Sequence, residues 1–147
     1  MTIAYLALGS NLGDRAANLR KACKLLEHHP AIKVAARSAI YETQSVEGGG
    51  PDDFLNAAVR IDTTLSPRAL LAMTQAIESA FGRVPAEGSR SGPRAMDVDI
   101  LLFGDAAIDE PGLQVPHPRM TRRAFVLRPL CDVLEGGWVK DTNEDWD

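Results

Sequence analysis

Four stretches of the chain have the pattern of β-strands. In each of them, either apolar and polar positions alternate or the residues form a short apolar run. Alternation places successive side chains on opposite faces of a sheet, whereas an unbroken apolar run is typical of a strand that is buried on both faces. The four stretches are residues 3–8, 32–43, 54–63 and 96–103. In the last of them, the β-branched residues Val98 and Ile100 favour a strand over a helix. Shorter strand pieces are predicted around Ile108 and Val115.

Apolar residues three and four positions apart predict two amphipathic helices. The first has Asp14 as its N-cap and ends at residues 28–30, and its buried stripe is Leu19, Ala22, Cys23 and Leu26. The second has Ser66 as its N-cap and Pro67 at its first position, and Gly82 ends it. Its predicted buried stripe is Leu70, Met73, Ile77 and Phe81.

The connections between these elements set the order of the fold. Residues 9–14 are predicted to turn from the first strand into the first helix, residues 44–53 and 83–93 are loops rich in glycine and proline, and residues 122–127 form a short helix. The resulting order, strand, helix, strand, strand, helix, strand, gives two split β-α-β units. We therefore expect an α+β protein, a ferredoxin-like α/β sandwich with a mainly antiparallel sheet and helices packed on it.

Composition and charge narrow the class of protein. A length of 147 residues with 45% hydrophobic residues suits one domain over residues 1–147. The net charge of −4 argues against a nucleic-acid or membrane-surface binder, which needs a broad basic face. Cys23 and Cys131 lack metal-ligand spacing and are expected to be core thiols in a reducing compartment. Because no apolar run resembles a signal peptide or membrane span, we expect a cytoplasmic protein.

Asp97 and Asp99 interrupt the most apolar strand. Their side chains point the same way, with Cα atoms roughly 6.6 Å apart. Two neighbouring carboxylates repel each other, so the pair indicates a cation between them, and oxygen ligands of this kind suit Mg²⁺. Arg94, three residues earlier, could bind a phosphate. The alternative is that both acids lie on the solvated face of an edge strand, which is the ordinary case for Asp-x-Asp alone.

Two further pairs of side chains suggest binding chemistry. Phe54 and Asn56 point to the same side of their strand, where they pair an aromatic platform with an amide that can both donate and accept. Taken alone, they could equally be an ordinary core residue and a local backbone partner. Gln75 and Glu78, three positions apart, lie together on a helix face that differs from the buried one.

The acidic strand and its surroundings resemble a known family. Gly92-Pro93-Arg94 followed by Asp-x-Asp-Ile-Leu-Leu-Phe-Gly is similar to the signature of 6-hydroxymethyl-7,8-dihydropterin pyrophosphokinases. Four further stretches match, and all of the matches occur along the chain in the same order as in that family. They are residues 4–13, residues 54–57, Gln75 and Glu78 with the Gly82-Arg83 that comes after them, and residues 116–120 with Arg123 and Phe125. The resemblance extends to Pro129-Leu130 and so covers most of the chain.

The resemblance implies transfer of pyrophosphate from ATP to the hydroxymethyl group of the reduced pterin, with AMP as the other product, in folate biosynthesis. It implies two Mg²⁺ ions held by Asp97 and Asp99, with Arg83 and Arg94 completing the catalytic set. The ATP-binding residues implied are Gln75, Glu78, Arg83, Arg94, Ile100, His117 and Arg123. The pterin-binding residues implied are Thr43 and Val46 through their backbone, Asn56 through its side chain, and Phe54 and Phe125 on the two faces of the ring.

The expected partners are these small molecules, without nucleic acid or membrane, and the expected state is a monomer. Ser91 and Gly112 stand where the family commonly has an aromatic residue and an arginine. These departures leave open a non-catalytic paralogue that binds pterin or ATP and serves a regulatory or scaffolding role. A palm-type nucleotidyltransferase, which also places paired aspartates on such a sheet, is a weaker alternative because the chain is acidic.

Overall fold

The computed structural model describes residues 1–43, 54–82, 95–118, 120, 124–134 and 146, with the side chains of residues 124 and 125 outside the described part. The elements in chain order are β1 (Thr2–Ser10), α1 (Arg15–His28), β2 (Ile32–Arg37), β3 (Tyr41–Thr43), β4 (Phe54–Thr63), α2 (Pro67–Ala80), β5 (Asp97–Phe103), β6 (Ile108–Glu110), β7 (Leu113–Val115) and α3 (Ala124–Val133).

The main sheet has the strand order β2-β4-β1-β5, and β3 pairs with β4 as well. Every pairing in it is antiparallel, from β5 at one edge to β2 and β3 at the other. Strands β1 and β4 are central, and α1 and α2 connect the strands of two interleaved units. This arrangement confirms the predicted α+β, ferredoxin-like class. Strands β6 and β7 form a separate hairpin.

The larger core lies between the sheet and α1 and α2. The predicted stripe of α1 is fully buried there, together with Leu6, Leu8, Val59 and Ile61 from the central strands. The predicted caps also hold, because Asp14 Oδ1 accepts a hydrogen bond from Ala17 N at 3.1 Å and Ser66 Oγ accepts one from Ala69 N at 3.1 Å. On α2, the buried residues are Leu70, Thr74 and Ile77, while Met73 and Phe81 are half-buried.

The opposite face of the sheet packs against α3. A second buried cluster joins this helix to the three strands β1, β4 and β5, and it consists of Tyr5, Ala58, Leu101, Leu130 and Val133. The helix is longer than the predicted helix over residues 122–127, since it continues through Pro129 to Val133. The prediction stopped at proline, which removes a helical hydrogen bond, but burial of Leu130 and Val133 outweighs that loss. No helix in the described ranges is long and apolar enough to cross a membrane.

The predicted single strand over residues 32–43 is wrong, because the chain leaves the sheet at residues 38–40. The register between β2 and β4 shifts between Val34 and Ala36. Ser38 bonds to Ala58 through both its backbone and its side chain. Its N–H donates to Ala58 O at 2.9 Å, and its Oγ accepts a hydrogen bond from Ala58 N at 2.8 Å. This side-chain hydrogen bond replaces a regular ladder and ends β2. Trp146 adds a hydrogen bond from Nε1 to Ser38 O at 2.8 Å.

The two cysteines differ in their environments. Cys23 is buried on α1, as expected, whereas the expectation of a core thiol is wrong for Cys131, which is exposed on α3. Burial raises the pKa of the Cys23 thiol to about 12, and the neighbouring Glu27 carboxylate adds to the shift. The thiolate is the nucleophilic form of cysteine, so Cys23 is unreactive at neutral pH.

We predict that iodoacetamide at pH 8 alkylates Cys131 in the folded protein and leaves Cys23 unmodified until the protein is unfolded. Intact-mass measurement counts the modifications, with Cys131→Ser as the control that takes up no label. Equal labelling rates for both thiols in the native protein would contradict the buried position of Cys23.

Candidate active site

A row of paired residues crosses the sheet on the face that α3 packs against. Gly9 of β1 pairs with Asp97 of β5 on one side and with Asn56 of β4 on the other, and Asn56 pairs in turn with Tyr41 of β3. Directly paired residues point to the same face of a sheet. With strands about 4.8 Å apart, the Cα atoms of Asp97 and Asn56 are therefore about 10 Å from each other.

The part of this row around Gly9, with its neighbours, forms what we call the site face, which consists of Gly9 as its floor and the side chains of Thr43, Phe54, Asn56, Asp97 and Asp99. It lies beyond the part of the sheet that Leu130 and Val133 of α3 cover. Asp97 is half-buried and Asp99 is exposed, while Val98 and Ile100 point into the opposite core, as the alternation predicts. The two predicted groups of site residues, the acidic pair and the pair on β4, thus share one surface.

The outer edge of β5 brings predicted nucleotide residues close to the acidic pair. Glu78 Oε2 of α2 accepts a hydrogen bond from Val98 N at 2.9 Å. His117 donates its backbone N–H to Leu101 O at 3.0 Å. Gln75 lies one turn before Glu78 and is exposed. Because the Ile100 side chain is in the core, only its backbone could contribute to a site at this edge.

The other end of the site face is organised around an amide. Asn56 is 7% exposed, and its Nδ2 donates to Thr43 Oγ1 at 2.7 Å. This bond fixes the orientation of the amide and directs Oδ1 toward Gly9. Phe54, half-buried, pairs with Thr43 and stands beside Asn56 on the same face. The structure therefore brings together Thr43, Phe54 and Asn56, as predicted, and gives Thr43 a side-chain contact that the sequence did not suggest.

Gly9 is the site residue that sequence reasoning missed. The pattern assigned it to a turn, whereas the structure places it inside β1 between Asp97 and Asn56. A Cβ atom at this position would lie 3.2 Å from Asn56 Oδ1 and 3.6 Å from Phe54 Cδ1. Its missing side chain keeps the floor of the site face clear. A glycine at the end of an apolar strand was the available signal, because such glycines often mark a close approach.

The remaining predicted site residues lie outside the described part of the chain. These are Val46, Arg83, Arg94 and Arg123, together with the side chain of Phe125, whose backbone belongs to the first turn of α3. Gly112 is described and occupies the turn between β6 and β7 with a φ of 76°, a conformation that suits glycine.

The donor set at Asp97 and Asp99 fits a magnesium ion whose coordination shell is completed by other molecules. Among the described residues, no three His, Cys, Asp or Glu side chains come together as a metal site. Two carboxylates on an accessible sheet face nevertheless supply hard oxygen ligands. Mg²⁺ commonly uses one or two protein carboxylates and takes its other ligands from water and substrate phosphates.

Comparison with known proteins decides the family. Residues 5–135 match the model of the 7,8-dihydro-6-hydroxymethylpterin-pyrophosphokinase family, HPPK. The chain belongs to this family. It is 50% identical over 133 residues to the 2-amino-4-hydroxy-6-hydroxymethyldihydropteridine pyrophosphokinase of Bacillus subtilis, covering 90% of this chain and 78% of that protein. It is 47% identical to the protein of the same name from Methylorubrum extorquens, covering 90% of this chain and 83% of that protein.

Solved structures agree on the fold. An HPPK-DHPS in complex with substrates matches 99% of this chain with a TM-score of 0.67 at 13% identity, and this chain spans 42% of that longer protein. The HPPK membership confirms the family and the enzyme class predicted from the sequence. The activity of that class is pyrophosphoryl transfer from ATP to hydroxymethyldihydropterin in folate biosynthesis.

The close approach of Asn56 and Phe54 to Gly9 predicts the effect of adding a methyl group at this position. Gly9→Ala should raise the KM for the pterin about five- to ten-fold, equivalent to about 1 kcal/mol, because the new methyl group crowds Asn56 and Phe54. Steady-state kinetics measures it. Gly104→Ala is the matched control: Gly104 has a φ of 53° and a tight contact with Thr2, so this variant should lose stability without changing the pterin KM. An unchanged pterin KM in Gly9→Ala would show that the pterin does not bind over Gly9.

Proposed function

We propose that the two substrates of the HPPK reaction meet on the site face, the pterin at the Asn56 end and the triphosphate of ATP at the Asp97 end. The row Asp97, Gly9 and Asn56 is the single observation that carries this proposal. Along this row, the Cα atoms of Asn56 and Asp97 are about 10 Å apart, and Gly9, which has no side chain, lies between them. The Asn56 amide is buried and fixed in orientation, and the Asp97 carboxylate belongs to the acidic pair. A hydroxymethyl group that projects from a ring bound at Asn56 would be directed toward the phosphates.

The pterin end has the composition that a flat heterocycle requires, namely an aromatic face and a few fixed polar partners. Phe54 supplies one face, and Phe125 from the first turn of α3 supplies the other. Asn56 presents Oδ1 as an acceptor, because its Nδ2 is held by Thr43. The backbone at Thr43 and Val46 supplies further hydrogen bonds to the edge of the ring.

At the nucleotide end, Asp97 and Asp99 would hold the two Mg²⁺ ions. The predicted contacts along the nucleotide and its phosphates are Gln75, Glu78, Arg83, Arg94, the backbone of Ile100, His117 and Arg123. Glu78 has a second role here, since its bond to Val98 N fixes the edge of the strand that carries both aspartates. Arg83 and Arg94 place fixed positive charge on the phosphates and with the aspartates form the catalytic set.

The reaction that follows is an in-line displacement at the β-phosphorus of ATP. A bond forms between the pterin hydroxymethyl oxygen and the β-phosphorus, and the bond from that phosphorus to the oxygen bridging the α- and β-phosphates breaks. AMP leaves with that oxygen, and the hydroxyl proton passes to water. Bound Mg²⁺ supplies charge neutralisation at the phosphates. The site face contributes orientation, because Asn56 and Phe54 hold the ring while the β5 edge holds the nucleotide.

The experiment that tests this function is product analysis by anion-exchange chromatography after incubation with ATP, Mg²⁺ and 6-hydroxymethyl-7,8-dihydropterin. We expect AMP and pterin diphosphate in equal amounts, and neither product when the pterin is omitted. Formation of ADP would contradict pyrophosphoryl transfer. Binding of both substrates without turnover would instead favour the non-catalytic paralogue.

We further propose that residues 1–147 form one domain that acts as a cytoplasmic monomer on small molecules. The single-domain proposal is supported by the main buried cluster, which extends from Ala4 to Trp146. The net charge of −4 supports the absence of nucleic-acid and membrane partners. Sedimentation equilibrium would test the monomeric state.

A further inference from the structure

One carboxylate joins α3 to the strand at the edge of the site face. Asp132 lies in the last turn of α3, and its Oδ2 accepts a hydrogen bond from Tyr41 Oη at 2.7 Å and another from Ala39 N at 3.1 Å. One donor is a side chain of β3 and the other is a backbone group of the irregular segment before it. The helix is thus attached to β3 by bonds to a charged acceptor, which are stronger than bonds between neutral groups.

A second contact fixes the same turn of α3 to the sheet. Arg60 of β4 donates from Nη1 to Val133 O at 3.1 Å. A guanidinium at the last carbonyl groups of a helix is favourable, because the helix dipole is negative there. Leu130 and Val133 are buried against Tyr5 and Ala58 in the same place. The C-terminal half of α3 therefore has a defined position on the strands.

The elements joined by Asp132 carry the two sides of the proposed pterin site. On β3, Tyr41 pairs with Asn56, and Thr43 pairs with Phe54 and holds the Asn56 amide. On α3, positions 125 and 132 are seven residues apart, which places them on the same side of the helix and roughly 10.5 Å apart along its axis. A shift or tilt of α3 at residue 132 would therefore move residue 125 relative to β3.

We propose that Asp132 and Tyr41 are positioning residues, a brace that sets the distance between α3 and β3 and so the width of the pterin site. The proposal rests on the function proposed above, in which Phe125 and Phe54 contact the two faces of the ring. Neither member of the brace needs to touch the substrate. Its effect arises because misplacement of a binding group by about 1 Å can cost a large factor in rate.

The brace predicts a specific pattern of kinetic and binding changes. Asp132→Ala removes the acceptor for both donors, and we expect it to raise the pterin KM and Kd about ten-fold while the ATP KM changes less than two-fold. Asp132→Asn keeps a neutral oxygen acceptor in the same place and should restore most of the affinity. Tyr41→Phe removes one of the two bonds, so an intermediate effect of about three-fold is expected, and it serves as the second variant should Asp132→Ala fold poorly.

A matched control separates positioning from general stabilisation. Glu110→Gln weakens the exposed contact of Glu110 with Arg68 Nη2 at 2.9 Å, which links α2 to the β6–β7 hairpin. It should leave the pterin constants unchanged. Calorimetric titration of each variant with 6-hydroxymethyl-7,8-dihydropterin gives the Kd independently of turnover.

The outcomes distinguish the brace from the function on which it rests. If the unmutated protein binds pterin and the variants retain its affinity, or lose pterin and ATP affinity equally, the brace is overturned and the function stands. If the unmutated protein binds no pterin, the proposed function fails and the brace with it. Selective loss of pterin affinity with recovery in Asp132→Asn supports the brace.

Discussion

Replacing Asp97 or Asp99 by asparagine is expected to lower turnover by about two to three orders of magnitude, the cost of removing a strong electrostatic stabiliser. The two side chains point to the same face from an accessible edge strand, so each variant removes a charge without disturbing the core formed by Val98 and Ile100. Two neighbouring acids repel each other when no cation is bound. We therefore expect both variants to unfold at the same temperature as the unmutated protein or at a higher one.

Asp105→Asn is the matched control for this prediction, because Asp105 is an exposed carboxylate in the turn just after β5. It should retain full turnover in the same coupled assay for AMP. The assignment of the acidic pair would be wrong if either Asp97→Asn or Asp99→Asn kept turnover within about two-fold of the unmutated protein at saturating Mg²⁺.

The second large effect is expected at Asn56. Asn56→Ala removes a buried amide that Thr43 holds at 2.7 Å, and with it the acceptor directed over Gly9. Removal of a buried hydrogen-bonding group from a binding site costs about 1 to 3 kcal/mol of binding free energy. The pterin affinity should therefore fall roughly 5- to 150-fold. The affinity for ATP should remain the same, because the proposed nucleotide position is at the other end of the site face.

Thr43→Val provides a graded comparison. It keeps the size of the side chain and removes only the hydroxyl that orients Asn56, so its loss of pterin affinity should be smaller than that of Asn56→Ala. Calorimetric titration with pterin and, separately, with a non-hydrolysable ATP analogue measures both constants. Equal losses for the two ligands in Asn56→Ala would indicate a general structural defect and would contradict the division of the site face into two ends.

The parts of this fold that the sequence predicted well depend on local patterns. The caps Asp14 and Ser66 act on the helix that follows them, and the alternation around Asp97 and Asp99 directly sets which face each side chain takes. The same local alternation placed Phe54 and Asn56 on one side of β4. These signals require no knowledge of which elements become neighbours.

The parts that were missed depend on contacts between distant positions. The break between β2 and β3 follows from bonds that Ser38 makes with Ala58, and the length of α3 follows from burial against β1 and β4. No local pattern distinguishes Asp132 from other acidic residues, because its contact with Tyr41 forms only in the folded chain. The position of Gly9 at the end of an apolar strand was a local signal, but its close approach to Asn56 depends on pairing across the sheet.

Asp97 and Asp99 are proposed to bind the divalent ions that neutralise the triphosphate. Mn²⁺ can replace Mg²⁺ as a spectroscopic probe, and electron paramagnetic resonance can count the ions retained by the complex with a non-hydrolysable ATP analogue and the pterin. We expect two bound ions per protein molecule for the unmutated protein and for Asp105→Asn, and fewer than two for Asp97→Asn and Asp99→Asn. Retention of two ions by both variants of the acidic pair would contradict this account.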